Sequence, residues 1–328
     1  MSELRWAAPT RGDDEQWATL LAAIEVVDQH GETYEVADID DEWTSVWAHP
    51  ETDSIFVWDG DELVAFGWIK TQVGEAKEHR VDCWGGVRPS HRRRGIGRQL
   101  LDWQVRRGRE IVDALDPSLG ARIAVEAADE QRDLVRLAHA MGFEPVRRFL
   151  DLVRPTSAPL EPVAAPTGLE LVPWSEELDE AARQAHGDSF VDHWGSEPRT
   201  AEEWRQWYTG HRSFRADLSV LAVDQASDEV VGFVLCSAYP QDWATVPVEA
   251  WINSVGTRRG WRGRGVARWL MTAALERIAT SDTGFERAML GVDSENPTGA
   301  LRLYRYLDFQ DERAVTSLAI QIAPAAGR

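Results

Sequence analysis

The chain carries one arginine- and glycine-rich segment twice, and this repeat constrains its fold more than any other feature. Residues 92–97 read Arg-Arg-Arg-Gly-Ile-Gly, and residues 262–267 read Arg-Gly-Arg-Gly-Val-Ala. Arg92 and Arg262 are 170 positions apart, and Gly86 and Gly256 upstream keep the same interval. Agreement in register over such a span indicates an internal duplication. The sequence therefore predicts two copies of one folding unit.

The same order of predicted elements surrounds each segment. In the first half, apolar runs at 54–59 and 63–70 predict a hairpin turning at Gly60, and a third strand at 81–87 leads through the segment into a helix to about residue 113. The second half repeats this order with strands at 219–224, 230–237 and 248–257 and a helix to about residue 279. Each half then adds a strand, a helix and a strand, at 122–126, 131–141 and 146–153 and at 288–292, 297–307 and 315–322. This alternation predicts an α/β (α+β) fold.

Residues 154–168 separate the two halves. This stretch contains four prolines and shows neither a helical nor a strand period, so it is predicted to be a semi-rigid linker. The expected domains are therefore residues 1–153 and 169–328.

Composition excludes several classes of protein. The formal net charge of −20 argues against a nucleic-acid partner, because duplex binding needs a positive surface, and it suits amine-bearing partners better. The N-terminus lacks a signal-like apolar run, and no stretch of eighteen apolar residues occurs, so a cytoplasmic protein that does not contact membranes is expected. The two cysteines, Cys83 and Cys236, are expected to be buried thiols, and the histidines show no metal-ligand spacing, so no metal is predicted.

The repeated segment is suited to holding an anion. Its glycines let the backbone fold tightly, so that successive N–H groups and the start of a helix point at one place, and arginines add charge-assisted contacts. A surface turn with solvated arginines is the alternative for either copy taken alone. The chain has no Gly-x-x-x-x-Gly-Lys-Ser/Thr motif, and Arg268 stands where a dinucleotide fingerprint needs its third glycine.

Two longer stretches resemble the GCN5-related N-acetyltransferase (GNAT) superfamily. Val255-Gly-Thr-Arg-Arg-Gly-Trp-Arg-Gly-Arg-Gly-Val-Ala267 is similar to its acetyl-CoA pyrophosphate loop, and Asn296-Pro-Thr-Gly-Ala-Leu-Arg-Leu-Tyr-Arg-Tyr-Leu-Asp-Phe309 resembles its later helix. Val87-Arg-Pro-Ser-His-Arg-Arg-Arg-Gly-Ile-Gly97 resembles the same loop. The resemblance implies two tandem GNAT-like domains, each a mixed, largely antiparallel sheet flanked by helices. The tandem layout is also similar to that of the mycothiol synthase family.

The resemblance also implies a cofactor, acetyl-CoA, and a set of residues that bind it. In the second half these are Val255, Thr257, Arg262, Gly263, Arg264, Gly265, Val266, Ala267 and Asn296. In the first half they are Val87, Arg92, Arg93, Arg94, Gly95, Ile96 and Gly97.

The implied reaction is direct attack of an amine on the thioester while both are bound. By motif position Tyr304 would protonate the leaving thiolate, which suits a hydroxyl of ordinary pKa near 10. Glu249 would accept the proton of the amine through water, and Asp192, His193 and Trp194 would line the acceptor site. From the residues alone, Asn296 is predicted to cap a helix with Pro297 at its first position. A core role for Tyr304 and a solvated strand end for Glu249 are the structural alternatives.

The first half departs from this pattern. Ala138 occupies the place of the tyrosine, His79 that of Glu249, and no asparagine opens the helix. We therefore predict chemistry in the second half, where Asp308 replaces the glycine that usually ends the helix in a left-handed conformation. The predicted function is N-acetylation of the primary amine of a small molecule by a monomer or homodimer. A non-catalytic acyl-CoA-binding module and a mycothiol-synthase-like enzyme are the alternatives.

Overall fold

The computed structural model describes residues 3–72, 78–191, 193–194, 198–296 and 298–325. The chain forms two compact units: unit 1 comprises residues 1–148 and 315–328, and unit 2 comprises residues 149–314.

The first half of the chain contains five helices and six strands among the described residues. The helices are α1 (Asp14–Asp28), α2 (Val36–Thr44), α3 (Pro50–Asp53), α4 (Ile96–Asp113) and α5 (Arg132–Ala140). The strands are β1 (Arg5–Ala7), β2 (Ser54–Asp59), β3 (Glu62–Gln72), β4 (Glu78–Val87), β5 (Gly120–Ala128) and β6 (Glu144–Pro155).

The second half follows the same order with one α-helix fewer before its first hairpin. Its helices are α6 (Asp179–Phe190), α7 (Ala201–Trp204), which continues as a π-helical turn over Arg205–Thr209, α8 (Val266–Ala279) and α9 (Ala300–Tyr306). Its strands are β7 (Leu169–Pro173), β8 (Val220–Asp224), β9 (Val230–Ser237), β10 (Glu249–Thr257), β11 (Arg287–Asp293) and β12 (Gln310–Ile322).

Each unit is built on one mixed sheet in which a single strand pair is parallel. The strand order is β1-β2-β3-β4-β5-β12 in unit 1 and β7-β8-β9-β10-β11-β6 in unit 2. The β4–β5 and β10–β11 pairs are parallel, and the other strand pairs described within each unit are antiparallel. The expected hairpin turns at Gly60, whose φ is 62°. The predicted fold class is confirmed.

The last strand of each half joins the sheet of the other unit. Residues 149–155 of β6 pair with β11, from Phe149 opposite Asp293 to Pro155 opposite Arg287, and residues 315–322 of β12 pair with β5. The expected boundaries at 153 and 169 therefore differ from the observed units, because residues 149–153 lie in unit 2 and residues 315–328 in unit 1. Backbone pairing decides this, since β5 and β11 each need a partner along their outer edge. The proline-rich linker accordingly begins after Pro155.

Apolar layers cover both faces of each sheet. In unit 2, Leu270, Met271 and Ile278 of α8 pack in one cluster with Ile252 of β10, while α6 packs on the opposite face around Phe233. In unit 1, α4 covers one face, and Trp17 of α1 covers the other with Trp68. Burial of these side chains is the main stabilising contribution. Among the described helices, none is long and apolar enough to cross a membrane.

Candidate active site

The repeated segment forms the same turn in both units. In unit 2, Gly263 and Gly265 adopt left-handed conformations with φ of 75° and 83°, and α8 begins at the next residue. In unit 1 the corresponding residues are Arg93, with φ of 62°, and Gly95, with φ of 82°. Two left-handed residues separated by one position curve the backbone into a concave turn. An arginine at the first of these positions is conformationally less favourable than glycine.

The backbone amides of this turn are not used by the fold. In the described part of the chain, residues 263–268 and 93–98 donate no backbone hydrogen bond, whereas Trp269 and Gln99, the next residues, donate to Gly265 and Gly95 at 3.0 and 3.1 Å. No atom lies within 4 Å of a Cβ built on Gly263 or Gly265, so the space above the turn is open. Consecutive free amides at the start of a helix are suited to an anion such as a pyrophosphate.

The first arginine of each segment stabilises the turn instead of extending into this open space. Arg262 donates from Nε to the carbonyl of Thr257 at 3.2 Å and from Nη2 to that of Ser189 at 2.8 Å. Arg92 donates likewise to the carbonyl of Val87 at 3.0 Å, and its Nη atoms form a bidentate pair with Asp28 at 2.6 and 2.7 Å. Arg262 thereby connects its turn to β10 and α6, and Arg92 connects its turn to β4 and α1. Sequence reasoning had assigned both guanidinium groups to the anion, and these protein partners argue against that assignment.

The remaining arginines distinguish the two turns. In unit 1, Arg93 pairs with Asp133 at 2.5 Å and Arg94 donates to the carbonyl of Ser90 at 3.1 Å. In unit 2, Arg264 lies over the ring of Trp261, 4.7 Å from its centroid. Carboxylates thus neutralise much of the positive charge around the first turn. Aromatic contacts leave the charge of the second turn in place.

The strand that leads into each turn separates from its parallel neighbour. β10 pairs with β11 only from Glu249 to Trp251, and β4 pairs with β5 only from Glu78 to Asp82. Beyond these points the strands diverge, so residues 252–257, including Val255 and Thr257, line one side of a fork that ends at the turn. Val87 has the same place in unit 1. Unpaired backbone groups along such an edge can bind an extended ligand that contains amides.

β10 contains a β-bulge at Asn253, whereas the described residues of β4 pair with β3 without a bulge. The register of β10 against β9 shifts between Ile252 and Ser254, whereas β4 pairs with β3 without interruption. Bulges are frequent next to active sites because they redirect side chains. Asn253 donates from Nδ2 to Ser237 Oγ at 3.1 Å and to Tyr239 Oη at 3.3 Å.

The bulge changes which residues of the two halves correspond. Gly86 and Gly256 match, since they pair with Phe66 and Phe233. Upstream of the bulge, Asp82 pairs with Lys70 and Trp251 pairs with Ser237, and each of these partners lies four residues after the matching phenylalanine. Asp82 therefore corresponds to Trp251, and the interval between the two halves is 169 residues here instead of 170. Glu249 therefore corresponds to Arg80, because each pairs across the parallel strands with an arginine, Arg287 and Arg122. The expected equivalence of His79 and Glu249 is wrong because one strand contains an extra residue.

Glu249 is buried and hydrogen-bonded through both carboxylate oxygens. Trp251 Nε1 donates to Oε1 at 2.8 Å, and Arg287 Nε donates to Oε2 at 2.7 Å. The carboxylate is thus part of an ion pair at the base of the fork, not the solvated strand end that was the structural alternative.

Tyr304 lies on α9 within the apolar cluster of unit 2. Burial raises the pKa of its hydroxyl to about 12, so the phenol stays protonated at neutral pH. Its carbonyl accepts the amide of Phe309 at 3.0 Å, and Ala138 accepts the amide of Phe143 at the same distance. This shared geometry supports Ala138 as the counterpart of Tyr304. Asp308 has a φ of 63°, so its expected left-handed conformation is confirmed.

Asn296 does not cap this helix. α9 begins at Ala300 after Gly299, whose φ is 80°, and Pro297 lies outside the described residues. The side chain of Asn296 instead accepts hydrogen bonds from the amide and hydroxyl of Thr298 at 2.8 and 2.6 Å. This local turn competes with helix formation, which explains why the predicted start at 297 is wrong.

The expected acceptor side is rich in aromatic rings. His193 lies against Phe190 with ring centroids 4.3 Å apart, and Trp194 lies 6.1 Å from Phe149. Asp192 lies outside the described residues. Asp188 pairs with Arg258 at 3.2 Å. Among the described residues no group of three or more potential metal ligands occurs.

His186 is a buried residue of this region that sequence reasoning missed. It is 2% exposed and stacks on Phe190 at 4.4 Å, and neither ring nitrogen has a hydrogen-bond partner among the described residues. Burial lowers its pKa to about 3, with smaller contributions from Arg199 and His193. The only sequence signal for this burial is the position of His186 four residues before Phe190 on α6. The other rings that surround it, those of Trp204, Tyr208 and Phe233, come from distant segments of the chain.

Comparison with known proteins gives a consistent family. Over 232 residues the chain is 30% identical to the mycothiol acetyltransferase of Tsukamurella paurometabola, covering 69% of this chain and 73% of that protein. It is 29% identical to the mycothiol acetyltransferase of Thermomonospora curvata, covering 68% of each.

Solved structures agree at the level of the fold. A GCN5-related N-acetyltransferase from Sphaerobacter thermophilus superposes with a TM-score of 0.73 at 23% identity, covering 99% of this chain and 98% of that chain. A tandem GNAT protein from the clavulanic acid biosynthesis pathway gives a TM-score of 0.72 at 18% identity, covering 99% and 100%. The profile of the Acetyltransferase (GNAT) family matches residues 16–143 and 179–309. The chain is thus a tandem acetyltransferase that belongs to the GNAT family.

Proposed function

We propose that the protein transfers the acetyl group of acetyl-CoA to the primary amine of a small molecule, in a ternary complex held by unit 2. The observation that carries this proposal is the combination, in one unit, of the open fork, the free amides of residues 263–268 and the buried hydroxyl of Tyr304. Unit 1 has the fork and the amides but has Ala138 in place of the tyrosine.

The residues of unit 2 fit the cofactor that the family uses. Free amides at the start of α8 would hold the pyrophosphate, and the edge of residues 252–257 would hold the pantetheine amides. When bound, acetyl-CoA supplies the thioester carbon that the amine attacks. The turn and the fork would thereby hold the thioester in a fixed orientation for attack by the amine, which lowers the entropic barrier.

Tyr304 is the proposed general acid. Its Oη keeps its proton at neutral pH because burial raises its pKa, and it would donate that proton to the leaving sulfur. The same apolar surroundings disfavour a thiolate as well as a phenolate, so they keep the phenol protonated and also raise the proton affinity of the leaving sulfur as its charge develops.

Glu249 is the proposed base, and its geometry restricts how it acts. Because Oε1 accepts a hydrogen bond from Trp251 and Oε2 contacts both Nε and Nη2 of Arg287, the proton of the amine would arrive through a bridging water on a remaining lone pair. Trp251 and Arg287 would hold the carboxylate in place during this step.

Unit 1 is proposed to bind CoA at most and not to catalyse. The bulky Trp84 stands where unit 2 has Ser254, and it contacts Trp17 and Phe66 on the face that corresponds to the acceptor side. This aromatic filling leaves less room for an acceptor than the serine does.

The acceptor is proposed to be a small amine that contacts aromatic rings. Two carboxylates on this side, Glu249 and Asp188, are each paired with an arginine, which disfavours polycations. His193 and Trp194 offer ring surfaces instead. The similarity to mycothiol acetyltransferases supports a second candidate, an acceptor related to mycothiol.

CoA release in the presence of amino sugars, polyamines, peptide N-termini and mycothiol-related amines tests the proposal. We expect turnover with at least one amine, and Tyr304→Phe should lower kcat by roughly 100-fold, the size of a general acid contribution, with little change in KM for acetyl-CoA. The matched pair Gly265→Ala and Gly95→Ala should reduce activity only in the first case. Tight acetyl-CoA binding without turnover on any amine would contradict the proposal and favour a non-catalytic acyl-CoA-binding module.

A further inference from the structure

The extra residue of β10, Asn253, presents an amide that is both fixed and accessible. Asn253 is exposed, and its Nδ2 donates to Ser237 Oγ at 3.1 Å and to Tyr239 Oη at 3.3 Å. Its Oδ1 accepts no hydrogen bond from any residue that the structure describes. A bulge redirects a side chain, and here two hydroxyls hold the redirected amide in place while its other end remains open to solvent.

This amide lies on the face of the sheet that α6 covers, beside the proposed base. Leu235 packs in the apolar cluster of α6, and Ser237, two residues further along β9, points to the same face. Ser237 pairs with Trp251, whose Nε1 donates to Glu249 Oε1 at 2.8 Å. Opposed side chains of an antiparallel pair are neighbours on one face. The side chain of Asn253, which contacts Ser237, therefore lies next to the pair of Trp251 and Glu249.

Tyr239 complements the amide with a hydrogen-bond donor. Its Oη accepts from Asn253, its side chain is half-buried, and its own proton has no acceptor in the part of the chain that the structure describes. Asn253 Oδ1 thus offers an acceptor and Tyr239 Oη a donor, and both groups are uncharged. A hydroxyl, which donates and accepts through one oxygen, is complementary to this pair. An ammonium group can only donate and a carboxylate can only accept, so each satisfies one of the two groups.

Unit 1 folds without this arrangement. Its strand β4 has no counterpart of Asn253, because it pairs with β3 without a bulge. By the register of the matching phenylalanines, Ser237 corresponds to Lys70, and Tyr239 corresponds to Gln72. The bulge and its hydroxyl partners are therefore not a requirement of the sheet, which favours a role in the chemistry of unit 2.

We propose that Asn253 and Tyr239 select an acceptor that carries a hydroxyl next to its primary amine, as amino alcohols and amino sugars do. The hydroxyl would donate to Asn253 Oδ1 and accept from Tyr239 Oη, which holds the amine on the side of Glu249. This inference rests on the proposed acetyl transfer in unit 2 and adds to it the chemical class of the acceptor.

Kinetics of acetyl transfer to two amines that differ by one hydroxyl test this assignment. At saturating acetyl-CoA, the full chain should use 2-aminocyclohexanol with a higher kcat/KM than cyclohexylamine. Asn253→Ala and Tyr239→Phe should each lower this ratio by roughly five- to tenfold, the size of one uncharged hydrogen bond. Comparing the ratio between wild type and variant cancels the different basicities of the two amines. The control is Tyr34→Phe, which removes a hydroxyl beside Trp84 in unit 1 and should leave the ratio unchanged.

A ratio that neither variant lowers, with melting temperatures equal to that of the wild type, would overturn the inference and leave the proposed function intact. If Asn253→Ala melts early, Tyr239→Phe, which keeps the ring, decides alone. If neither amine is turned over, calorimetric binding of 2-aminocyclohexanol to the acetyl-CoA-bound chain decides: a loss of affinity in Tyr239→Phe supports the inference, and equal or absent binding overturns it. Such binding without turnover of any amine contradicts the proposed function alone.

Discussion

Half-buried Arg287 and buried Glu249 form an ion pair between the parallel strands β10 and β11, with Nε of the arginine 2.7 Å from Oε2 of the glutamate. The pair closes the base of the fork at the place where the strands stop pairing. Its position makes the ion pair a structural feature of unit 2 as well as a part of the proposed catalytic site.

Removal of Arg287 should therefore destabilise the protein. Arg287→Met leaves a buried carboxylate without its counter-ion, which costs about 3 kcal/mol of unfolding free energy, and urea denaturation measures the loss. The control is Arg106→Met, whose exposed pair with Asp102 should contribute about 1 kcal/mol or less. Equal losses in the two variants would show that the buried pair is no more important than a surface one.

His186 should make stability fall in mild acid. Its folded pKa of about 3 lies below the unfolded value of about 6.5, so the unfolded chain binds the proton more readily and stability declines as the pH falls from 6.5 towards 3. Each pH unit in this window costs about 1.4 kcal/mol. His186→Phe keeps a ring on Phe190 and should remove this dependence, which thermal melting at pH 7 and pH 5 would detect. Parallel melting curves for the two proteins would contradict the assignment.

The first left-handed residue of each turn, Arg93 or Gly263, should respond oppositely to substitution. Arg93→Gly relieves an unfavourable conformation and should stabilise unit 1 by about 1 kcal/mol, less the small contribution of the exposed pair with Asp133. Gly263→Arg introduces the same conformation in unit 2 and should destabilise it by about 1 kcal/mol. Melting temperatures of both variants that move in the same direction would refute this reading.

Deletion of residues 310–328 should affect unit 1, although these residues follow unit 2 in sequence. β12 pairs with β5 from Val315 to Ile322, and its loss exposes the edge of β5. Hydrogen exchange should accelerate over residues 120–128, with a smaller effect over residues 249–257. The reverse pattern would place β12 with unit 2.

The duplication, the fold class and the position of both turns follow from the sequence alone. Glycines at fixed spacing and alternating apolar runs act locally, so Gly263, Gly265 and the helix after them form as the pattern predicts. The left-handed Asp308 was predictable for the same reason. Tyr304 was predictable from a motif, but its raised pKa depends on side chains that pack around it.

Tertiary structure decided the features that depend on long-range pairing. One extra residue at Asn253 shifts β10 against β9, which makes Arg80 and not His79 the counterpart of Glu249, and no local pattern reveals such a bulge. β6 pairs with β11 and β12 pairs with β5, although each strand belongs to the other half of the sequence. This pairing depends on which sheet edge has backbone groups that still need hydrogen-bond partners. Arg262, Arg92 and Arg268 are equally charged in the sequence. Only the fold determines that the first two stabilise the turns and that Arg268 has no carboxylate partner among the residues that the structure describes.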